Sequence, residues 1–190
     1  MKHLWGEMEL ARKIQTSLLP RSVKNLHADL EIAADMLPAE NVGGDCYDVA
    51  FDRSGYLWFT IGDVSGHGVT PGLIMMMAQT IHTTITSNMD SDPRSLVVMI
   101  NEILYKNVRE RLREDHFMTF TALKYMGGGQ FQHAGAHLSM IVYRKKTGIC
   151  ELIPTTGIYL NFKNTNTNPL RVCQIFSIMF CSILIPGMKL

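Results

Sequence analysis

Val42-Gly43-Gly44-Asp45-Cys46-Tyr47-Asp48 and Ile61-Gly62-Asp63-Val64-Ser65-Gly66-His67-Gly68 stand on either side of the run Asp52-Arg53-Ser54-Gly55. That run has the residue types of a tight turn. The segment up to about Phe51 and the segment Tyr56 to Val64 both read as strands, so the two acidic stretches are expected to face each other in a hairpin. Hard divalent cations take oxygen ligands in octahedral geometry and keep several waters. A site for them calls for carboxylates at strand ends, with glycines that let backbone carbonyls and water approach. Asp45 and Asp63, each preceded by glycine, meet that description and are expected to share one cation, directly or through water. Taken singly, either aspartate would serve equally well as a turn or cap residue. The hairpin that joins them is what singles them out.

Upstream, Leu30, Ile32, Ala34 and Met36 alternate in the manner of a strand, which Pro38 ends. Further upstream Leu4, Met8, Ala11, Gln15 and Leu18, with Ile14 beside them, form a heptad-like stripe closed by Pro20. Such a helix either packs on its own domain or pairs with another chain or an upstream sensor; two heptads do not separate these readings. Downstream, Gly66-His67-Gly68 breaks the second strand, and Pro71 suits the first turn of a helix. Leu73 to Met77 is apolar on every face, which predicts a buried helix with Met75, Met76 and Met77 as core filler. Asp92-Pro93 reads as an N-cap and first helical residue. Leu96, Ile100, Ile103, Leu104 and Val108 then mark an amphipathic helix. Thr119 to Tyr125, Gln130 to Ala134, Leu138 to Arg144 and Cys150 to Ile153 read as a strand meander. The order predicts an α+β domain with segregated layers. After Leu160 the character changes to an Asn/Thr-biased run, 161–169, followed by the apolar stretch Val172 to Ile185. That stretch is shorter than the ~20 residues a spanning helix needs, so a buried strand or an ill-fitting tail is the expectation, not a membrane anchor.

The bulk properties exclude more than they specify. The 190 residues suit one domain with its own core, and 46% hydrophobic with 18% charged residues is ordinary for a soluble protein. A formal net charge of +1 provides no field for steering nucleic acid or an anionic membrane, so neither is expected as a partner. Cys46, Cys150, Cys173 and Cys181 show no CxxC spacing, which argues against a zinc ribbon or a disulfide framework. The polar N-terminal stretch does not read as a signal peptide, and a cytoplasmic location is expected. His133 and His137 have an HxxxH spacing suited to zinc on a helix, but their surroundings read as strand and turn. His67 reads as a turn residue.

The motifs together resemble the SpoIIE/RsbU-like branch of the PPM protein phosphatases. The resemblance is carried by Glu9 to Pro20, by Pro38 to Asp48 and by Gly62 to Gly68. Met118 to Ala122, Ala134 to His137 and Pro154 to Gly157 add to it, so that it runs from about Glu7 to Leu160. It implies an α-β-β-α four-layer sandwich with a two-metal site at one end, holding Mn2+ or Mg2+. It implies hydrolysis of phosphoserine or phosphothreonine on a protein by metal-activated water. Asp45, Asp63 and the Val64 carbonyl would be metal ligands, with Asp48 near the site. The substrate would be a small phosphorylated regulatory protein of the anti-sigma-factor-antagonist type. The family also draws aspartates from two later segments that have no counterpart here: after Asp115 there is no aspartate, and Glu151 is the only later acid. Three segments are therefore expected: a linker or signalling helix at 1–20, the phosphatase domain at 21–160 and an atypical tail at 161–190. The fold should be incomplete at its C-terminal end, and at most one ion should be held well. The alternative is a catalytically impaired module that binds a phosphoprotein or a partner helix without turnover.

Overall fold

The turn at Asp52 shows why the hairpin forms. Asp52 Oδ1 accepts hydrogen bonds from the Ser54 and Tyr56 amides, each 2.9 Å, and the Asp52 amide donates to the Tyr56 carbonyl. Gly55 supplies the positive φ of 85° that the turn requires. Strand β1 (Asp45–Phe51) and strand β2 (Leu57–Val64) run antiparallel from this turn, in a register that pairs Phe51 with Leu57 and Asp45 with Asp63.

The computed structural model describes residues 2–20, 22–36, 42–144, 147–155, 157, 159–161 and 174–177, with backbone alone at 2–5 and 174–177. Helix α1 (Lys2–Ser17) precedes the hairpin, and helices α2 (Val69–Asn88) and α3 (Pro93–Leu104) follow it. Asp92 caps α3 as expected, its Oδ1 accepting from the Arg94 and Ser95 amides with Pro93 as the first helical residue. A π-helical segment, Tyr105–Leu112, prolongs α3 and ends at Arg113 in a left-handed conformation. Strands β3 (Met118–Gly127), β4 (Gln130–Ala136), β5 (Met140–Arg144), β6 (Ile149–Ile153) and β7 (Gln174–Ser177) complete the described elements. They form a five-stranded antiparallel sheet in the order β1-β2-β3-β4-β7 and a two-stranded sheet, β5-β6.

Strand periodicity sends alternate side chains to opposite faces, and each face has its own core. Trp58, Phe120, Ala122 and Ala134 face α2 and α3, where they meet Ile74, Met75, Ala78, Leu96, Val97 and Ile100. Leu57, Leu123, Tyr125 and Phe131 point the other way, onto Met140 and Val142 of the small sheet. Helices, large sheet and small sheet are three layers of the α-β-β-α sandwich. The outer face of the small sheet, with Leu152 70% exposed, carries no helix among the described residues.

The described residues bear on three of these readings. Leu30 to Met36 enters no ladder; an isolated bridge between His27 and Leu30 is its only pairing among the described residues, although Leu30 and Ile32 still pack on the second core. The alternation there reflects burial of alternate side chains, which does not need a strand partner. At the C-terminal end, where the fold is expected to be incomplete, Gln174–Ser177 aligns with Gln130–His133 and covers part of the β4 edge. The rest of the 161–190 tail after Asn161 lies outside the described residues. In α1, Met8 and Ala11 are half-buried and Gln15 is buried, whereas Leu10, Ile14 and Leu18 face solvent; the Leu4 side chain lies outside the described part.

Candidate functional site

Asp45 opens β1 and Asp63 lies one residue before the end of β2, and they are direct cross-strand partners. Both are exposed, and both lie on the face turned away from the helices. Partial burial first, and then the charge of Asp45, hold the Asp63 carboxyl above its ordinary value. Among the described residues neither carboxylate is ion-paired with a basic side chain. Like charges directly opposite on a sheet are destabilising. The pair is thus a place where negative charge has been gathered without a counter-charge.

The backbone beside it is held in close approach. The Val64 amide donates to the Gly44 carbonyl at 3.2 Å. A Cβ on Gly44 would collide with the Val64 carbonyl oxygen and stand 3.1 Å from Asp63 Oδ1. Only glycine therefore lets the Val64 carbonyl and the Asp63 carboxylate crowd the same spot. The loop is fixed from behind by α1: Gln15 Nε2 donates to the Gly43 carbonyl at 2.5 Å, and the Gly43 amide donates back to Gln15 Oε1 at 3.2 Å. Two carboxylates and a carbonyl are hard oxygen donors, so in chemistry they fit Mg2+ or Mn2+. Among the described residues no group of three or more His, Cys, Asp or Glu side chains is arranged to hold a metal ion.

Asp48 is not brought to this place. Three residues beyond Asp45, it falls on the opposite face of β1. There its Oδ2 lies 3.3 Å from Nδ1 of the buried His82 on α2, and its Oδ1 accepts from the Val49 amide. Cys46 is on that face too; burial first, then the charges of Asp45 and Asp48, push its thiol up to about 12. It is an inert core group.

Two polar residues continue the row that the aspartates begin. Asp63 pairs with Thr119 of β3, and the next pair along, Phe120 with Ala136, places Thr119 opposite His137 just past β4. Asp45, Asp63, Thr119 and His137 thus cross four strands in one line. Thr119 Oγ1 donates to the Asp63 carbonyl at 3.3 Å and lies 2.8 Å from His137 Nδ1. Thr155 clamps the His137 backbone, accepting from its amide at 2.9 Å and donating to its carbonyl. Burial lowers the His137 pKa, opposed by the charge of Asp45. The sequence motifs contained Thr119 and His137 but gave them no role. His133 makes a parallel pair, with Nε2 2.6 Å from Thr121 Oγ1, and burial pushes its pKa down to about 4. Each histidine is thus bound to its own threonine, and the two do not converge as zinc ligands would.

The model of the stage II sporulation protein E (SpoIIE) family matches residues 53–173. No curated protein sequence matches the chain. Among solved structures, the SiaA-PP2C domain of Pseudomonas aeruginosa superimposes with a TM-score of 0.68 at 17% identity, over 94% of this chain and 68% of that one. The RsbU and RsbW domains of a Mycobacterium tuberculosis protein give 0.53 at 20% identity, over 75% of this chain and 38% of that one. A serine/threonine phosphatase of S. agalactiae gives 0.59 at 12% identity, over 76% and 72%. Its sheets have the PP2C fold of these structures, and with the family model covering well over half of its length the chain belongs to the SpoIIE family.

Proposed function

We propose that the chain hydrolyses phosphoserine or phosphothreonine on a regulatory protein of the anti-sigma-factor-antagonist type. Asp45, Asp63 and the Val64 carbonyl would hold one Mn2+ or Mg2+. The observation that carries this reading is the cross-strand register that sets two unneutralised carboxylates beside a backbone carbonyl at the end of the sheet. A divalent cation, when bound, would offset the charge of an approaching phosphoryl group and make water a better nucleophile. The chain's own contribution is placement. The carboxylates accept hydrogen bonds from water and orient it, and the Gln15–Gly43 clamp keeps the loop from drifting. The gathered negative charge draws a cation and repels a phosphate that arrives without one. The exposed residues Leu10, Ile14 and Leu18 of α1 fit pairing with an upstream sensor helix or a second copy of the chain. No described helix is long and apolar enough to cross a membrane, and a cytoplasmic setting fits a phosphoprotein substrate.

A second reading, a phosphoprotein-binding module with little turnover, is favoured by one fact: residues 116–190 contain no aspartate to hold a second cation. One experiment separates them. Phosphate release from a phosphoserine-bearing antagonist protein is followed with Mn2+ for the wild-type chain and for Asp45→Asn. The phosphatase reading expects slow Mn2+-dependent release that the substitution abolishes. Binding of the phosphoprotein without release, unchanged by Asp45→Asn, would establish the second reading.

A further inference from the structure

The proposed chemistry leaves the far end of the polar row unused. Thr119 Oγ1 lies 3.3 Å from the Asp63 carbonyl, which can only accept, and 2.8 Å from His137 Nδ1, whose role depends on the tautomer. When the one hydroxyl proton goes to the carbonyl, the hydroxyl oxygen accepts from Nδ1–H and Nε2 carries the lone pair of the neutral ring. Burial keeps that ring neutral near pH 7. Among the described residues Nε2 has no hydrogen-bond partner, and it is not one of the buried unpartnered atoms, so solvent reaches it. Thr155 holds the His137 backbone at both its amide and its carbonyl. An oriented, accessible base thus stands on the same face and the same sheet end as the aspartates. Three strand spacings, about 14 Å, separate the backbones of Asp45 and His137. Asp63 and Thr119 stand between them on the same face.

We propose that His137 is a catalytic base of this site and that Thr119 is the positioning residue that fixes its tautomer. The inference rests on the phosphatase reading above. In the step, an O–H bond of the water breaks, and its proton goes to His137 Nε2. The oxygen forms the new bond to phosphorus, and the bond from phosphorus to the seryl oxygen breaks with its electron pair leaving on that oxygen. The imidazolium then returns the proton to the departing seryl oxygen or to solvent, so that serine and hydrogen phosphate are the products. With carboxylates for one cation only, a protein base at the other end of the row supplies part of what a second cation would otherwise do.

The test uses the full chain and two readouts. Nitrogen-15 NMR of the imidazoles, without cation, is expected to show His137 as the Nδ1–H tautomer, and Thr119→Val to mix the tautomers. An Nε2–H ring in the wild type overturns the proposal. Hydrolysis of p-nitrophenyl phosphate with Mn2+ is then compared for wild type, His137→Ala, His137→Gln and Asp45→Asn, with Mn2+ binding measured by calorimetry. His137→Ala should lower kcat by roughly 10²-fold, the lower end for a lost general base. KM and Mn2+ affinity should stay within about twofold, and imidazole added to the buffer should restore part of the rate. His137→Gln, which keeps the bulk should the alanine variant fold poorly, should show the same loss. Either variant retaining wild-type kcat while Asp45→Asn is dead overturns the role of His137 alone. Loss of Mn2+ binding in the His137 variants without imidazole rescue also overturns it. A wild type that turns over nothing above the Asp45→Asn level overturns the phosphatase reading and this inference together.

Discussion

Asp45 and Asp63 face each other across β1 and β2 with no basic side chain between them, and such an arrangement costs on the order of 0.2–1 kcal/mol. Removing one charge should therefore help the fold and harm the site. Asp63→Asn is expected to raise the melting temperature by about 1–4 °C in chelator, since 1 kcal/mol moves a domain of this size by about 2–4 °C. It should abolish the stabilisation that added Mn2+ gives the wild type. A thermal scan with and without Mn2+ checks both signs; a lowered melting temperature in chelator would show that the pair is not strained by its charge. Asp52 behaves oppositely. Despite burial, hydrogen bonds from Trp58 and Lys124, with a 2.9 Å ion pair to Lys124, hold its carboxyl below the usual range. A depressed carboxyl contributes stability above its unfolded pKa of about 3.9 and loses it as pH falls through the folded value. Asp52→Ala leaves Lys124 buried without its partner and should cost about 3–5 kcal/mol by denaturant titration at pH 7. The difference from wild type should shrink in acid. These two aspartates were readable in the sequence because turn residues between two strand patterns fix which positions face. Asp48 shows where motif resemblance misleads: the period of two already places it on the other side from Asp45. Thr119 and His137 could not be assigned, because their meeting depends on the β3–β4 register, which no turn motif before Gly127 announces.

Among the elements, the loop 42–44 depends on three neighbours that are distant in sequence. Gln15 holds Gly43, the bare α-carbon of Gly72 makes room for Val42, and Gly44 lies against Val64. Gly44→Ala must push the Val64 carbonyl or the Asp63 carboxylate aside. It is expected to keep the overall fold and to weaken Mn2+ binding by tenfold or more in calorimetry; unchanged affinity would show that the carbonyl and carboxylate do not act together. Gln15→Ala removes both hydrogen bonds to Gly43 and leaves its amide and carbonyl unpaired, at about 1–3 kcal/mol. Its melting temperature should fall, and the Mn2+ affinity with it, because α1 belongs to the support of the site. The sequence marked Gln15 only as one member of an apolar stripe. A polar residue in such a stripe was the visible clue, and what it binds was not visible, since Gly43 lies 28 residues away. Alternation at Leu30, Ile32, Ala34 and Met36 reads as a strand because burial of every second side chain has the same signature whether or not a ladder forms.

At the scale of the molecule, the layered α+β order was legible because, from the hairpin onward, strand periodicity gives way to helix periodicity at Gly66 to Gly68 and returns before Met118. The pairing of Gln174–Ser177 with β4 was not, since a short apolar run carries no information about which edge it will join. The account as a whole stands on the claim that this sheet end is a cation site of limited capacity. Calorimetry of Mn2+ binding to the wild-type chain and to Asp45→Asn tests it directly. The account predicts a single weak site in the wild type, lost in the variant. Two tight sites, or binding that survives Asp45→Asn, would contradict it.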